Sequence, residues 1–142
     1  MSAAPPLPRP SMESAPFWEA CQRGELRLQR CARCGEFWFP PALRCPRCWS
    51  SEWKWEKTSG RGTLFSFVVY QRSYHPAFRE ALPYVVGVVE LAEGPRMPTR
   101  IIDVAPESVR CGMPVEVAFT PVSDEIQLPF FRPSADTMGG QR

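Results

Sequence analysis

Apolar and polar positions alternate along most of the second half of this chain. Val115, Val117 and Phe119 are interleaved with Glu116, Ala118 and Thr120, the period of a half-buried strand. Ile126, Leu128 and Phe130 repeat it, and Pro129 among them reads as a sheet edge. Thr63–Gln71 is another strand-like run, and Tyr84–Leu91 is apolar on both faces, as in a central strand. Glu93-Gly94-Pro95 turns the chain into a strand predicted over Thr99–Val104, and "APESVRCGMP" reads as a loop or a single helical turn. Five strands with a helical insert before the fourth predict a small closed barrel of the OB type.

The first half follows a different pattern. Residues 1–13, rich in Pro, Ala and Ser, lack the apolar spacing that would offset the entropy of ordering, and read as a disordered tail. Ser14 is a candidate N-cap with Pro16 just inside a short helix, Phe17 and Cys21 share a face with Trp18 beside them, and Gly24 stops it. So short a helix is unstable alone and must dock on something. Strand-like runs at Leu26–Arg30, Glu36–Phe39 and Trp53–Lys57 follow, and Gly60 and Gly62 mark a joint. The fold class is therefore mostly β. Residues 14–60 form a helix plus ribbon, 61–132 the barrel and 133–142 a flexible tail.

Cysteines change the picture most. Cys31-Ala-Arg-Cys34 and Cys45-Pro-Arg-Cys48 are two C-x-x-C knuckles separated by ten residues. Zinc takes four soft ligands in a closed tetrahedral site, and the gap allows a hairpin that brings the knuckles together. Iron would accept the same ligands. Arg30, Arg33, Arg44 and Arg47 surround the site and offset its negative charge. A closed site leaves the ion structural, Zn2+ contributing about 10–16 kcal/mol of apparent folding energy. A redox C-x-x-C would need a thioredoxin-like βαβ context, which the pattern lacks. Cys21 and Cys111 read as buried or half-buried residues.

The formal charge of +2 falls to about zero once four thiolates and one divalent ion are counted, which argues against nucleic acid as a partner. "MSAAPPLPRPSMESAP" has no basic start followed by an apolar core, so a cytoplasmic location is expected. The apolar run from Ala81 to Ala92 is too short to cross a membrane. The single histidine, His75, lies in the loop "SYHPAFREAL" with no orienting acid that the sequence reveals. No nucleophile elbow, P-loop or dinucleotide fingerprint is present. What remains is a surplus of aromatics, five Trp and nine Phe, more than the ribbon can bury alone. Trp38, Phe39, Phe17 and Trp18 are candidates for a partner interface.

The phrases "FWEACQRGELRLQRCARCGEFWFPP", "CPRC", "SGRGTLFSF", "PYVVGVVEL", "CGMPVEVAF" and "LPFFRP" occur in that order from Phe17 to Pro133. In this series the chain resembles the family catalogued as domain of unknown function thirty-five, zinc-ribbon and OB-fold proteins associated with acyl-CoA enzymes. The resemblance implies a non-catalytic subunit of a thiolase-superfamily enzyme, in a hetero-oligomer of two-plus-two form by analogy. The CoA thioester would be bound mainly by the partner, with this chain helping to shape its access. Steroid side-chain aldolases and acyl-CoA hydratases are the alternative partners. Cys31, Cys34, Cys45 and Cys48 match the family's metal ligands, and the loop residues Tyr74, His75, Phe78 and Arg79 are candidates for lying near substrate or partner. Two readings of other classes stand beside this one. One is a single-stranded nucleic-acid-binding module, which needs stacking aromatics in a basic groove. The other is a stand-alone enzyme using Cys21, Cys111 or His75.

Overall fold

A computed structural model describes residues 14–71, 83–124 and 126–134. Helix α1 (Ala15–Gln22) begins with a proline in its first turn. Ser14 holds the N-cap position without a side-chain capping bond. Ser14 is thus the N-cap as expected, its carbonyl accepting from Trp18 N–H at 3.2 Å, and the preset φ of Pro16 supports the start of the helix. At its other end Gln127 Nε2 donates to the carbonyls of Cys21 and Gln22, at 3.0 and 3.2 Å. These bonds satisfy acceptors that a helix leaves open and fasten α1 to the barrel.

Strands β1 (Arg27–Cys31), β2 (Phe37–Trp38) and β3 (Trp53–Lys57) form an antiparallel sheet in the order β2-β1-β3. Its register pairs Arg27 with Lys57, Cys31 with Trp53 and Gln29 with Trp38. Strands β4 (Arg61–Tyr70), β5 (Tyr84–Leu91), β6 (Arg96–Ile101), β7 (Pro114–Pro121) and β8 (Gln127–Pro133) close a barrel in the order β4-β5-β6-β8-β7. A single 3-10 turn, Pro106–Ser108, lies before the fourth barrel strand, where the helical insert is expected.

Two strand expectations need correction. The third barrel strand runs Arg96–Ile101, not Thr99–Val104, and the chain turns at Asp103 with φ +60°. Pro98 is tolerated there for a geometric reason. Leu91 N–H donates to Pro95 O, so counting along the register makes Val88–Pro98 a non-hydrogen-bonded pair. The proline nitrogen then faces β8, which pairs with β6 only at Ile101–Phe131. Pro129 faces the same thin seam, and Thr99 Oγ1 donates to its carbonyl at 2.8 Å. It thus marks the closure of a barrel and not a free sheet edge.

One core runs through both halves. Phe17 and Cys21 from α1, Leu26 and Leu28 from the ribbon, and Leu64, Val85, Val89, Val115 and Phe131 from the barrel are buried together. The second glycine of the joint is required by strand packing inside the barrel. A Cβ on Gly62 would lie 2.5 Å from the Glu90 carbonyl oxygen and 2.8 Å from Val89 Cγ1. Only glycine fits between β4 and β5 at that point. Among the described residues no helix is long and apolar enough to cross a membrane.

Candidate metal centre

Strand β1 carries Cys31 to the first knuckle, and the two knuckles fold alike. Cys31 N–H donates to Glu36 O at 2.8 Å, and Cys45 N–H to Ser50 O at 3.0 Å. Gly35 N–H returns to Cys31 O at 3.1 Å, and Trp49 N–H to Cys45 O at 2.8 Å. Each turn thereby aims backbone amides at its first sulfur. Arg33 and Cys34 amides approach Cys31 Sγ at 3.3 and 3.4 Å. Those of Arg47 and Cys48 approach Cys45 Sγ at 3.4 and 3.5 Å. Such donors favour sulfur as thiolate, the form a metal requires.

Sulfurs from opposite knuckles meet. Cys31 and Cys48 Sγ lie 3.6 Å apart, as do Cys34 and Cys45 Sγ, and all four fall within 4.8 Å of one another. A tetrahedron with metal–sulfur bonds of about 2.3 Å has edges of about 3.8 Å, so the cluster has the size of a tetrathiolate site. Charge explains why a cation suits it. The Cys34 amide first, with that of Arg33, brings the Cys31 thiol down to about 6 despite its burial. At Cys34 the Glu36 amide favours the thiolate, but desolvation within the cluster and the sulfurs of Cys45, Cys31 and Cys48 push the thiol up to about 12, although the residue is exposed. Crowded thiolates repel one another until a divalent cation compensates them.

The surroundings brace the cluster. Arg30 ion-pairs with Glu56 at 2.8 Å, bonds the Gly35 carbonyl and covers the Phe37 ring, and Arg47 reaches Glu36 at 3.4 Å. Trp38 packs edge-on to Trp53, which packs edge-on to Trp55. Sequence reasoning missed Gln29. It is 2% exposed and clamps the inter-knuckle loop, its Nε2 donating to Ala42 O at 2.7 Å and its Oε1 accepting from Ala42 N–H at 2.8 Å. The available signal was a polar residue at an inward-facing position of a strand that leads to a ligand.

Other expected site residues fare differently. Phe17 and Trp38 are buried within the chain, 3% and 5% exposed, so in this fold they line its own cores and offer a partner little surface. Phe17 packs against Trp18 and Phe39, which are only partly buried. Among the described residues the large apolar side chains that face solvent are Leu43, Trp49, Phe65 and Val68, none of them among the candidates. Cys21 is fully buried, and burial pushes its thiol up to about 12, which removes it as a nucleophile. Cys111 is exposed, contrary to expectation. Its turn is tied to β4 by Gly112 N–H donating to Leu64 O at 2.7 Å, yet it leaves the thiol exposed. Tyr74, His75, Phe78 and Arg79 lie outside the described residues.

Comparison with known proteins agrees with this geometry. Residues 18–54 match the rubredoxin-like zinc ribbon domain of ChsH2, and residues 55–120 match its C-terminal OB-fold domain. A probable enoyl-CoA hydratase alpha subunit of Thermomonospora curvata is 39% identical over 129 residues, 89% of this chain and 40% of that protein. The chain thus spans about two fifths of that relative's length. Benzoylsuccinyl-CoA thiolase subunit BbsA of Thauera aromatica is 33% identical, over 70% of this chain and 66% of its own. A chain of the Ltp2-ChsH2(DUF35) aldolase superposes with a TM-score of 0.81 at 38% identity, covering 89% of this chain and 98% of its own. With ribbon and barrel matched in order and in shape, the chain belongs to the ChsH2 (DUF35) family of rubredoxin-like zinc-ribbon and OB-fold proteins.

Proposed function

We propose that this chain is a non-catalytic subunit that docks on a thiolase-type acyl-CoA enzyme, supports its fold and helps shape access of the CoA thioester. Cys31, Cys34, Cys45 and Cys48 hold a structural zinc ion. When bound, zinc supplies four metal–sulfur bonds that tie the knuckles together, and no position for a substrate. The observation that carries this reading is the convergence of four sulfurs within 4.8 Å on amide-braced turns. These are thiols committed to a scaffold and withheld from nucleophilic work. The similar proteins are named as an enoyl-CoA hydratase subunit, a benzoylsuccinyl-CoA thiolase subunit and an aldolase. That pattern fits one platform serving several chemistries. An aldolase or hydratase partner is the second reading, favoured by the aldolase chain's near-complete overlap with this one.

Co-expression with each class of partner enzyme, followed by size-exclusion chromatography and turnover assays, tests the proposal. The expected result is a stable hetero-oligomer, in two-plus-two ratio, whose enzyme loses solubility or activity without this chain. Turnover of an acyl-CoA by the purified chain alone, or failure to associate with any of the three enzyme classes, would overturn it. Salt-sensitive retention on single-stranded DNA would instead favour a nucleic-acid role.

A further inference from the structure

The two knuckles differ in the residue that closes each. The first ends on Gly35 at φ +80°, and the second ends on Trp49 at φ +65°. Glycine enters this left-handed region freely, whereas a bulky side chain there is a true outlier. Backbone strain of this kind persists where a function requires it. The Trp49 side chain gains no burial within the chain in return, being 71% exposed, and only its backbone is held, by Cys45 and Arg44. The ribbon therefore carries a large aromatic ring, in a disfavoured backbone conformation, out into solvent.

The surroundings of Trp49 indicate what it meets. With Arg33, Arg44, Ser50, Ser51 and Glu52 it lines an open concavity of about 450 Å³. Arg44 donates from Nη1 to the Trp49 carbonyl at 3.1 Å, which steadies the strained residue. Leu43, next to Arg44, is 64% exposed. Arg30 and Arg47 have glutamate partners. Among the described residues Arg33 and Arg44 have no acidic partner. Trp and Arg together are the residues that dominate protein contacts. Glu52 in the same concavity opposes a polyphosphate, and Leu43 gives a phosphate nothing to bind. A segment with apolar side chains and a carboxylate meets Trp49, Leu43 and the two arginines, and it sets less negative charge against Glu52 than a polyphosphate would.

We infer that the Trp49 face of the ribbon is a docking surface for an acidic, apolar segment of the acyl-CoA enzyme subunit. Trp49 and Leu43 are the apolar anchors, and Arg33 and Arg44 meet the carboxylates. This rests on the accessory-subunit reading and names the surface through which it acts.

The test uses the full chain and the enzyme subunit that co-purifies with it. Trp49→Gly and Trp49→Asn both suit a left-handed backbone, so they remove the ring while relieving strain. For each, metal content and thermal midpoint are expected to match or exceed those of the wild type. Affinity for the enzyme falls by roughly 30-fold or more, the factor that corresponds to a hot-spot loss of about 2 kcal/mol. Arg33→Glu is expected to weaken binding by roughly tenfold in low salt and by less in high salt. Unchanged enzyme affinity in both Trp49 variants overturns the surface and leaves the accessory reading standing. A lower midpoint or lost metal with affinity intact would make Trp49 a structural residue. Loss of CoA affinity in a titration, with enzyme affinity intact, would make the concavity a nucleotide site. Absence of any complex with the wild-type chain overturns both readings at once.

Discussion

The ribbon and the barrel are held by different forces. The barrel closes through paired strands around Leu64, Val85, Val89, Val115 and Phe131, all at most 2% exposed. Its stability comes from apolar surface removed from water. The ribbon's own cluster contains Cys31, Trp38 and Cys45, with Ala42 and Trp53 packed against it. Two of the three buried members are sulfur donors, so a segment this short must draw its stability from a metal and from what it borrows. Leu26 and Leu28 show the borrowing, since they point into the core shared with the barrel. A scaffold can thus join a metal-built module to a solvent-built one along a single strand whose two ends serve different cores.

The largest effect that sharpens this contrast is removal of the metal, by chelation or by Cys45→Ala. About 10–16 kcal/mol of apparent binding energy is at stake in small zinc modules. Hydrogen exchange is expected to speed up across β1–β3 while β5 keeps its protection. Equal loss in both would show that ribbon and barrel unfold as one unit. Next comes Phe131→Ala, which empties a fully buried site in the barrel. A loss of about 3–5 kcal/mol is expected in denaturant titration, with metal content unchanged. Gln29→Ala comes third. It strands the Ala42 N–H and carbonyl and should cost about 1–3 kcal/mol, with metal released at a lower chelator concentration. Smallest is Glu56→Gln. The Arg30–Glu56 pair is 42% and 32% exposed, so its loss should cost under about 1 kcal/mol and fade as salt is raised.

Legibility differed between these regions. Strands β3 and β5 begin and end where the pattern of apolar residues and turn signals places them. Strand β6 does not. Its bounds follow the register imposed by β5, and Pro98 looks like a breaker until the neighbouring strand shows which way its nitrogen faces. The four ligands were readable because spacing alone specifies a knuckle. Burial of Phe17 and Trp38 was not, because a sequence shows an aromatic residue without showing whether another segment folds over it. Trp49 was one of the surplus aromatics, but its strained backbone was hidden for a related reason. A φ of +65° is a backbone property, and "CPRCWS" conceals it until the turn is seen beside its glycine-closed twin.

By itself the sequence determined what local chemistry can specify: the alternation that makes strands, the C-x-x-C turns, the short proline-started helix and the order in which they come. Tertiary structure alone decided how those pieces share a core, that Gln29 locks the inter-knuckle loop, that the barrel closes at a thin seam carrying Pro129, and which aromatics stay outside. The physical reason is range. Period, capping and ligand spacing act over a few residues, whereas burial, closure and strain depend on contacts between residues far apart in the chain.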